Sequence, residues 1–242
     1  LLIVKIYRFK ERMSALLFPG QGSQYIGMGK DFYNNFPIAK EVYNEVDHIL
    51  GFSLSKLIFN GQIEDLTLTK NAQPAIMATS IAILRTLKKE GFNIKKSKFV
   101  AGHSLGEYTA LVCSESLKLI DGIKIVTERA KLMSTAPSGA MSAVLGLDEK
   151  IIEDVCNELT NAMAGSVEIG NYNTPLQSVI SGNIEVVAEA EIRLKDAGAK
   201  KIIRLNVSIA SHSKLMKDAS NKFEEFMSKF EFMMPKRLSL ES

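Results

Sequence analysis

Ser104 stands in a Gly-x-Ser-x-Gly pattern, between Gly102 and Gly106, directly after an apolar run at 99–101. A strand that runs into this pattern and then into a helix is typical of a nucleophile elbow, in which flanking glycines let the backbones crowd together. Such a turn exposes the serine hydroxyl and places backbone N–H groups of a helix N-terminus beside it, where they can stabilise an oxyanion. The pattern therefore predicts acyl transfer or hydrolysis through a serine ester.

A nucleophilic serine needs a base, and the chain has only three histidines. His48 falls on the polar side of a predicted helix, and the side chain of His103 should point away from Ser104. His212 remains, in a loop of small residues that leads into a helical stretch. We predict that His212 takes the Ser104 proton and then returns one to the leaving group.

Arg129 falls within the apolar arc of a predicted helix over 121–133. An arginine stays charged, so a partly buried one needs an anion or several carbonyl groups as partners. Two interpretations are open at this point. Arg129 forms a structural ion pair with a core carboxylate, or its planar guanidinium holds a substrate carboxylate through two hydrogen bonds.

A glycine-rich loop at 19–24 follows a predicted strand at 15–18. The loop has no lysine and does not have the spacing of a P-loop, so its glycines are a weak indication of phosphate binding. A loop of this kind beside an elbow can supply the second N–H group of an oxyanion hole. Gln21 would be that donor.

The composition excludes several classes of protein. With 242 residues, 46% hydrophobic and 24% charged, the chain suits one globular unit or two small ones. A formal net charge of +3 is too small and too mixed to indicate nucleic acid. The sequence contains no run of 18 or more apolar residues, so it predicts no membrane span. Cys113 and Cys156 lie in apolar helical contexts, which predicts reduced core residues of a cytoplasmic protein.

Apolar strands and helices alternate up to Pro137, which predicts a parallel sheet covered on both faces. The periodicity predicts helices over 37–50, 75–87 and 121–133. After Pro137 the predicted order is β-α-β-β-α-β, which is typical of a ferredoxin-like unit. The expected organisation is a large α/β domain at 13–137 and 208–242, an inserted ferredoxin-like small domain at 138–207, and a non-native leader at 1–12.

These motifs resemble those of the malonyl-CoA:acyl-carrier-protein transacylases of fatty-acid synthesis and of the related acyltransferases of polyketide synthases. Residues 18–24 (Phe-Pro-Gly-Gln-Gly-Ser-Gln) match the opening motif of that family in full, and residues 102–108 (Gly-His-Ser-Leu-Gly-Glu-Tyr) match its nucleophile motif in full. Shorter matches follow in family order: Gln73-Pro74-Ala75, Arg129 with Leu132-Met133, Gly139-Ala140-Met141, Asn171-Tyr172-Asn173 and Gly198-Ala199-Lys200. The resemblance covers about residues 14–235 and implies a hydrolase-like large domain with an inserted small domain.

The resemblance implies a role for each matched residue. Ser104 would attack the thioester of malonyl-CoA, and His212 would act as base and then as acid. Backbone N–H groups of Gln21 and Leu105 would hold the oxyanion, while Arg129 would clamp the malonyl carboxylate. The residues expected to line the substrate cleft are Met133, Asn171 and Asn173. The malonyl group would then pass to the phosphopantetheine thiol of acyl carrier protein, and no metal or redox cofactor is implied. We expect a monomer with no nucleic-acid or membrane partner.

The chain departs from the family pattern in two places. The loop at 208–212 lacks the proline that usually precedes the base, which would loosen the histidine. The family also continues well beyond the Met234-Pro235 region, whereas residues 236–242 do not resemble that continuation, so a truncation or frameshift is expected. The missing part would include a glutamine whose carbonyl orients the histidine. Loss of the segment would expose apolar surface of the large domain, and loss of the glutamine would lower the rate of acyl transfer.

Two other functions remain open. A serine esterase or thioesterase would use the same elbow with water as the acceptor. Arg129 distinguishes this alternative, because an ordinary esterase pocket does not need a buried cation that faces the substrate. A remnant that binds CoA or carrier protein without turnover is the second alternative, and it would form no ester on Ser104.

Overall fold

A computed structural model describes residues 5–8, 14–235 and 238–240 of the chain. The strands in these ranges are β1 (Lys5–Arg8), β2 (Ser14–Phe18), β3 (Ser97–Gly102), β4 (Ala140–Leu145), β5 (Val167–Thr174), β6 (Gln177–Gly182), β7 (Lys201–Arg204) and β8 (Leu238–Leu240). The α-helices are α1 (Lys30–Asn35), α2 (Pro37–Leu50), α3 (Leu54–Asn60), α4 (Ile63–Thr67), α5 (Thr69–Lys89), α6 (Gly106–Cys113), α7 (Leu119–Ser134), α8 (Glu149–Ala162), α9 (Ile184–Asp196) and α10 (Lys217–Met227). None of these helices is long and apolar enough to cross a membrane.

Backbone contacts divide the chain into two compact units, residues 1–131 with 225–242 and residues 132–224. These boundaries differ from the expected ones at 138 and 207. The second unit also takes in the last turn of α7 and the segment from 208 to 224, which was expected in the large domain. An isolated bridge between Ser138 and Ile209 ties that segment to the start of the unit.

The sheet of the first unit has the strand order β1-β2-β3-β8. β2 and β8 both run parallel to β3, which confirms the parallel sheet predicted for the large domain. β1 lies within the predicted leader and pairs antiparallel with β2, so residues 5–8 form an edge strand of this sheet. The remainder of the predicted leader, 1–4 and 9–12, lies outside the described residues.

Helices of the first unit bury one apolar face against the sheet or against each other. α2 spans the predicted residues: Pro37 occupies its first turn, where a missing N–H costs nothing, and Gly51 ends it in a left-handed conformation. Val42 and Val46 of α2 share one core with Leu16 of β2. α5 begins at Thr69, so the predicted start at 75 is wrong. Pro74 lies inside the helix.

The second unit is a four-stranded antiparallel sheet in the order β5-β6-β4-β7, with α8 and α9 packed on it. Along the chain the elements follow β-α-β-β-α-β, which confirms the predicted ferredoxin-like unit. Asp148 caps α8 by accepting a hydrogen bond from the Lys150 N–H. The buried residues of the two helices, among them Ile152 and Val187, form one cluster with Ile180 of β6.

Candidate active site

The turn around Ser104 has the geometry of an elbow. Ser104 lies between β3 and α6 and adopts a φ of 52°, a left-handed conformation that is uncommon for serine. A Cβ atom on Gly102 would overlap the backbone of Gly106, and one on Gly106 would overlap the carbonyl of Phe18. Both glycines of the motif are therefore required by close backbone approach, and the predicted strand–turn–helix around Ser104 is present.

The turn also sets the direction of the backbone N–H groups that follow Ser104. The N–H of Gly106 donates to the His103 carbonyl at 2.9 Å, and the N–H of Glu107 donates to the Ser104 carbonyl at 3.1 Å. Leu105 stands between them at the start of α6, and its fully buried side chain anchors the turn in the core. Its N–H follows the nucleophile directly, as an oxyanion donor must, and its role as that donor stays a prediction.

Arg129 reaches Ser104 from α7. Its Nη2 donates to Ser104 Oγ at 2.9 Å and its Nη1 donates to Gln73 Oε1 at 2.9 Å, while the guanidinium carbon lies 5.7 Å from the centre of the Tyr108 ring. Both acceptors are neutral oxygens. None of the ion pairs described within residues 14–235 includes Arg129. The arrangement favours the second interpretation of this arginine, a guanidinium available to a substrate carboxylate.

Burial shapes the electrostatics beside the nucleophile. Burial lowers the pKa of the Arg129 guanidinium, and the neighbouring Tyr108 and Glu107 oppose that shift. Burial also raises the pKa of Tyr108, against the opposing effect of Arg129. The tyrosine is therefore a neutral phenol near pH 7, and its ring faces the cation without neutralising it.

The loop at 19–24 lies beside the elbow, as expected. A Cβ atom on Gly20 would stand 2.6 Å from Nδ1 of His103. Within the loop, the Ser23 hydroxyl donates to the Gly20 carbonyl at 2.8 Å. The side chain of Gln21 donates to Thr69 Oγ1 at 3.2 Å and accepts a long hydrogen bond of 3.5 Å from Gln73 Nε2. These contacts hold the loop that carries the predicted second oxyanion donor.

His212 belongs to the second unit, in an exposed loop position with a φ of 60°. The loop is held on the sheet of that unit: the carbonyl of Ser211 accepts from Ser181 Oγ at 2.8 Å, and the N–H of Lys214 donates to Glu168 Oε1 at 2.6 Å. Hydrogen bonds thus hold the backbone on both sides of His212, and the effect of the missing proline in 208–212 stays a prediction. The approach of His212 to Ser104 stays a prediction.

The other predicted cleft residues divide between strand and helix. In β5, Ile169 pairs with Ile180 and Asn171 pairs with Val179, so the intervening residue 170 is a bulge. A Cβ atom on Gly170 would lie 3.4 Å from the Cβ of His212, which brings Asn171 and the histidine loop to one region of the second unit. Asn173 is exposed farther along β5, and Met133 follows Arg129 by one turn on α7. Their contact with substrate stays a prediction.

Two residues of the site were missed as contributors. Gln73 was noted as part of a motif without a role, yet it is fully buried and hydrogen-bonded to both Arg129 and Gln21. The available signal was a polar amide directly before a long apolar stretch of helix, next to Pro74. Tyr108 was likewise noted only as part of a motif, and its ring on α6 meets the guanidinium of Arg129 on α7.

The fold and the serine elbow define this chain as a member of the acyltransferase class. The chain matches the acyl transferase domain family over residues 15–241 and belongs to that family. The match extends past the expected limit near 235, and residues 238–240 form β8 beside the nucleophile strand. The expectation that residues 236–242 do not continue the family pattern is therefore corrected.

Among curated relatives, the malonyl CoA-acyl carrier protein transacylase of Bacillus subtilis (strain 168) is 45% identical over 216 residues, which cover 88% of this chain and 67% of the relative. The enzyme of the same name from Escherichia coli (strain K12) is 39% identical over 224 residues, covering 91% of this chain and 71% of the relative.

Solved structures agree with this assignment. A crystal structure of MCAT from Streptococcus pneumoniae superposes with a TM-score of 0.86 at 40% identity, covering 94% of this chain and 73% of that one. A type II PKS acyl-carrier protein in complex with its malonyl-transacylase gives a TM-score of 0.87 at 38% identity, covering 93% of this chain and 72% of that one.

Proposed function

We propose that the protein transfers a malonyl group from malonyl-CoA to acyl carrier protein through an ester on Ser104, and so supplies extender units for fatty-acid synthesis. The proposal is supported by relatives named malonyl CoA-acyl carrier protein transacylase and by the carrier-protein complex of a similar structure. Both substrates present a thioester or a thiol at the end of a phosphopantetheine arm, so one cleft serves both half-reactions.

In the first half-reaction, neutral His212 removes the Ser104 proton as Oγ bonds to the thioester carbon. The negative charge moves to the carbonyl oxygen, where the N–H groups of Leu105 and Gln21 stabilise it. The carbon–sulfur bond then breaks, and His212 returns the proton to the CoA sulfur. In the second half-reaction the carrier thiol attacks the ester by the same steps in reverse, which releases Ser104. These steps use a hydroxyl, an imidazole and backbone amides, so they require no metal or redox cofactor.

The observation that carries the proposal is the position of Arg129. Its guanidinium lies 2.9 Å from the nucleophilic oxygen, and both described acceptors are neutral. A malonyl ester on Ser104 places a carboxylate one methylene beyond the ester carbonyl, within reach of that guanidinium. Bidentate pairing of a carboxylate with arginine is strong and directional, and an acetyl group cannot form it. An uncharged ester has no anionic group that the Arg129 guanidinium could bind, so ester hydrolysis does not explain a cation at this position.

The test compares Arg129→Ala with the parent protein on two acyl donors. Acylation of Ser104 by malonyl-CoA and by acetyl-CoA is followed by mass spectrometry, and transfer to holo-acyl carrier protein is measured with each. We expect the substitution to lower kcat/KM for malonyl-CoA by about a hundredfold or more relative to acetyl-CoA, since it removes the charged hydrogen-bonding partner of the malonyl carboxylate. The hydrogen bond to Ser104 Oγ is lost with both donors, so it does not change their ratio.

Matched controls separate this effect from damage to the fold. Lys124→Ala removes an exposed cation from the same helix and should change neither reaction. Ser104→Ala should accept no acyl group from either donor. Unchanged malonyl transfer in Arg129→Ala would show that the proposed substrate is wrong. A folded parent protein that forms no malonyl ester would favour the non-catalytic remnant.

A cytoplasmic location is also proposed. Its support is that Cys113 and Cys156 are both buried thiols, as expected of a protein from a reducing compartment.

A further inference from the structure

Gln73 is a polar residue in the apolar interior of the first unit. It lies on α5, and its side chain is fully buried. A buried amide is costly unless both of its ends are paired, because its carbonyl accepts and its amino group donates. Here Oε1 accepts from Arg129 Nη1 at 2.9 Å, and Nε2 donates to Gln21 Oε1 at 3.5 Å. The orientation of the amide follows from chemistry, since a guanidinium can only donate.

The hydrogen bonds form a series in which each side chain donates to the next. Arg129 donates to Gln73, Gln73 donates to Gln21, and Gln21 donates to Thr69 Oγ1 at 3.2 Å. The series begins at the Arg129 guanidinium, which contacts Ser104, and it passes through Gln21 of the loop that carries the predicted second oxyanion donor. One amide therefore lies between the two groups that recognise the two ends of a malonyl thioester.

We propose that Gln73 is a positioning residue that sets the selectivity of the site for carboxylated acyl groups by holding the Arg129 guanidinium in place without neutralising it. This inference rests on the proposed function and adds a residue to it. The bond to Nη1 fixes the plane of the guanidinium and leaves Nη2 directed at Ser104. Without that acceptor, a desolvated Nη1 turns toward another oxygen, and the fork loses its alignment with the substrate carboxylate.

The neutrality of the amide is the second half of the argument. A carboxylate at position 73 would hold the guanidinium equally well, but it would also satisfy its charge. A substrate carboxylate would then compete with an internal one already in place. Glutamine is the side chain of this length that accepts a hydrogen bond without carrying a charge, so it orients the cation and leaves its charge for the ligand.

The experiment uses Gln73→Leu, Gln73→Glu and the control Gln62→Glu, which alters an exposed glutamine at the start of α4. Single-turnover acylation of Ser104 is measured over a range of malonyl-CoA and acetyl-CoA concentrations. We expect Gln73→Leu and Gln73→Glu to raise the malonyl-CoA concentration needed for half-maximal rate about tenfold to a hundredfold. The leucine removes a charged hydrogen bond to Arg129, and the glutamate competes with the malonyl carboxylate for the guanidinium. The acetyl-CoA concentration needed for half-maximal rate should stay within about threefold of the parent value, because an acetyl group has no carboxylate for the guanidinium to bind.

A second measurement tests the link to the loop. Gln21→Ala keeps the backbone N–H of residue 21 but removes the amide that Gln73 contacts. We expect a smaller rise for malonyl-CoA, since this hydrogen bond is longer, and a double variant whose effect is smaller than the product of the two single effects. The Gln21→Ala result and the Gln73→Glu result carry the test even if Gln73→Leu does not fold.

Each contrary outcome has a definite meaning. Equal losses with malonyl-CoA and acetyl-CoA in the Gln73 variants would show a purely structural role and overturn the inference. Unchanged malonyl acylation in both Gln73 variants would overturn it as well. If Arg129→Ala lowers malonyl transfer while the Gln73 variants do not, the proposed function stands and only the role of Gln73 falls. If Arg129→Ala has no effect, the proposed function itself fails.

Discussion

Gly106→Ala tests whether close backbone approach builds the elbow. Gly106 is part of α6 with a helical backbone, so alanine there should gain about 1 kcal/mol of helix propensity. The added methyl group, however, would overlap the Phe18 carbonyl and stand 2.9 Å from the Pro19 carbonyl. Backbone atoms cannot rotate away as a side chain can, so a cost of about 3 kcal/mol, the upper end for overpacking, is expected. The net expectation is a loss of about 2 kcal/mol in the free energy of unfolding.

The catalytic effect of Gly106→Ala should be larger than its effect on stability. Relief of the overlap requires α6 to move away from β2 by roughly 1 Å, and a displacement of that size at a reacting group costs about a hundredfold in rate. The assays are urea unfolding and the rate of malonyl-Ser104 formation. The control is Gly51→Ala, at a left-handed position with nothing within 4 Å of the new atom, which should lose about 1 kcal/mol and no acylation rate. Equal acylation rates in the two variants would refute the reasoning.

Two further predictions concern residues outside the site. Asp47 accepts hydrogen bonds from Ser55 N at 2.9 Å, Ser55 Oγ at 2.6 Å and Ser53 Oγ at 3.0 Å. Asp47→Ala should therefore lower the free energy of unfolding by about 1–2 kcal/mol and leave the rate of Ser104 acylation unchanged, and a loss of acylation would contradict this. Burial raises the pKa of Cys156 from 9.0 to about 12, so the folded state keeps its thiol proton when the unfolded state has lost it. The free energy of unfolding should therefore fall as pH rises above about 9, and a slope equally steep in Cys156→Ala would exclude this cause.

The elements that sequence could predict are those whose signals are local. The bounds of α2 were predicted from apolar residues at helical spacing over 37–50, and the structure has the helix at Pro37–Leu50. The ferredoxin-like order followed from alternating strand and helix patterns with turn residues between them. The elbow at Ser104 was predicted from the Gly-x-Ser-x-Gly motif, because its two glycines allow the close backbone approach that the turn requires. In each case the determining residues are neighbours in the chain.

What could not be predicted depends on contacts between distant residues. Gln73 and Arg129 are separated by more than fifty positions, and only the packed helices show that an amide rather than a carboxylate meets the guanidinium. The predicted start of α5 was wrong because residues 69–71 (Thr-Lys-Asn) do not extend the apolar pattern. The helix is held by the burial of residues on both sides of Pro74, such as Ala72 and Met77. The pairing of 5–8 with 14–17 likewise depends on a neighbouring strand and not on composition.

The pairing of β3, the strand that leads into Ser104, affects how the molecule folds. β3 pairs with β2 across more than eighty residues and with β8 across more than a hundred. Closing loops of that length costs chain entropy before any contact repays it, so such pairings form slowly. The turn at Ser104 needs both the end of β3 and the Phe18 carbonyl in place, and a nascent or partly folded chain therefore carries an ordinary, unreactive serine. Covalent labelling of Ser104 during refolding would mark the completion of the fold and not its beginning.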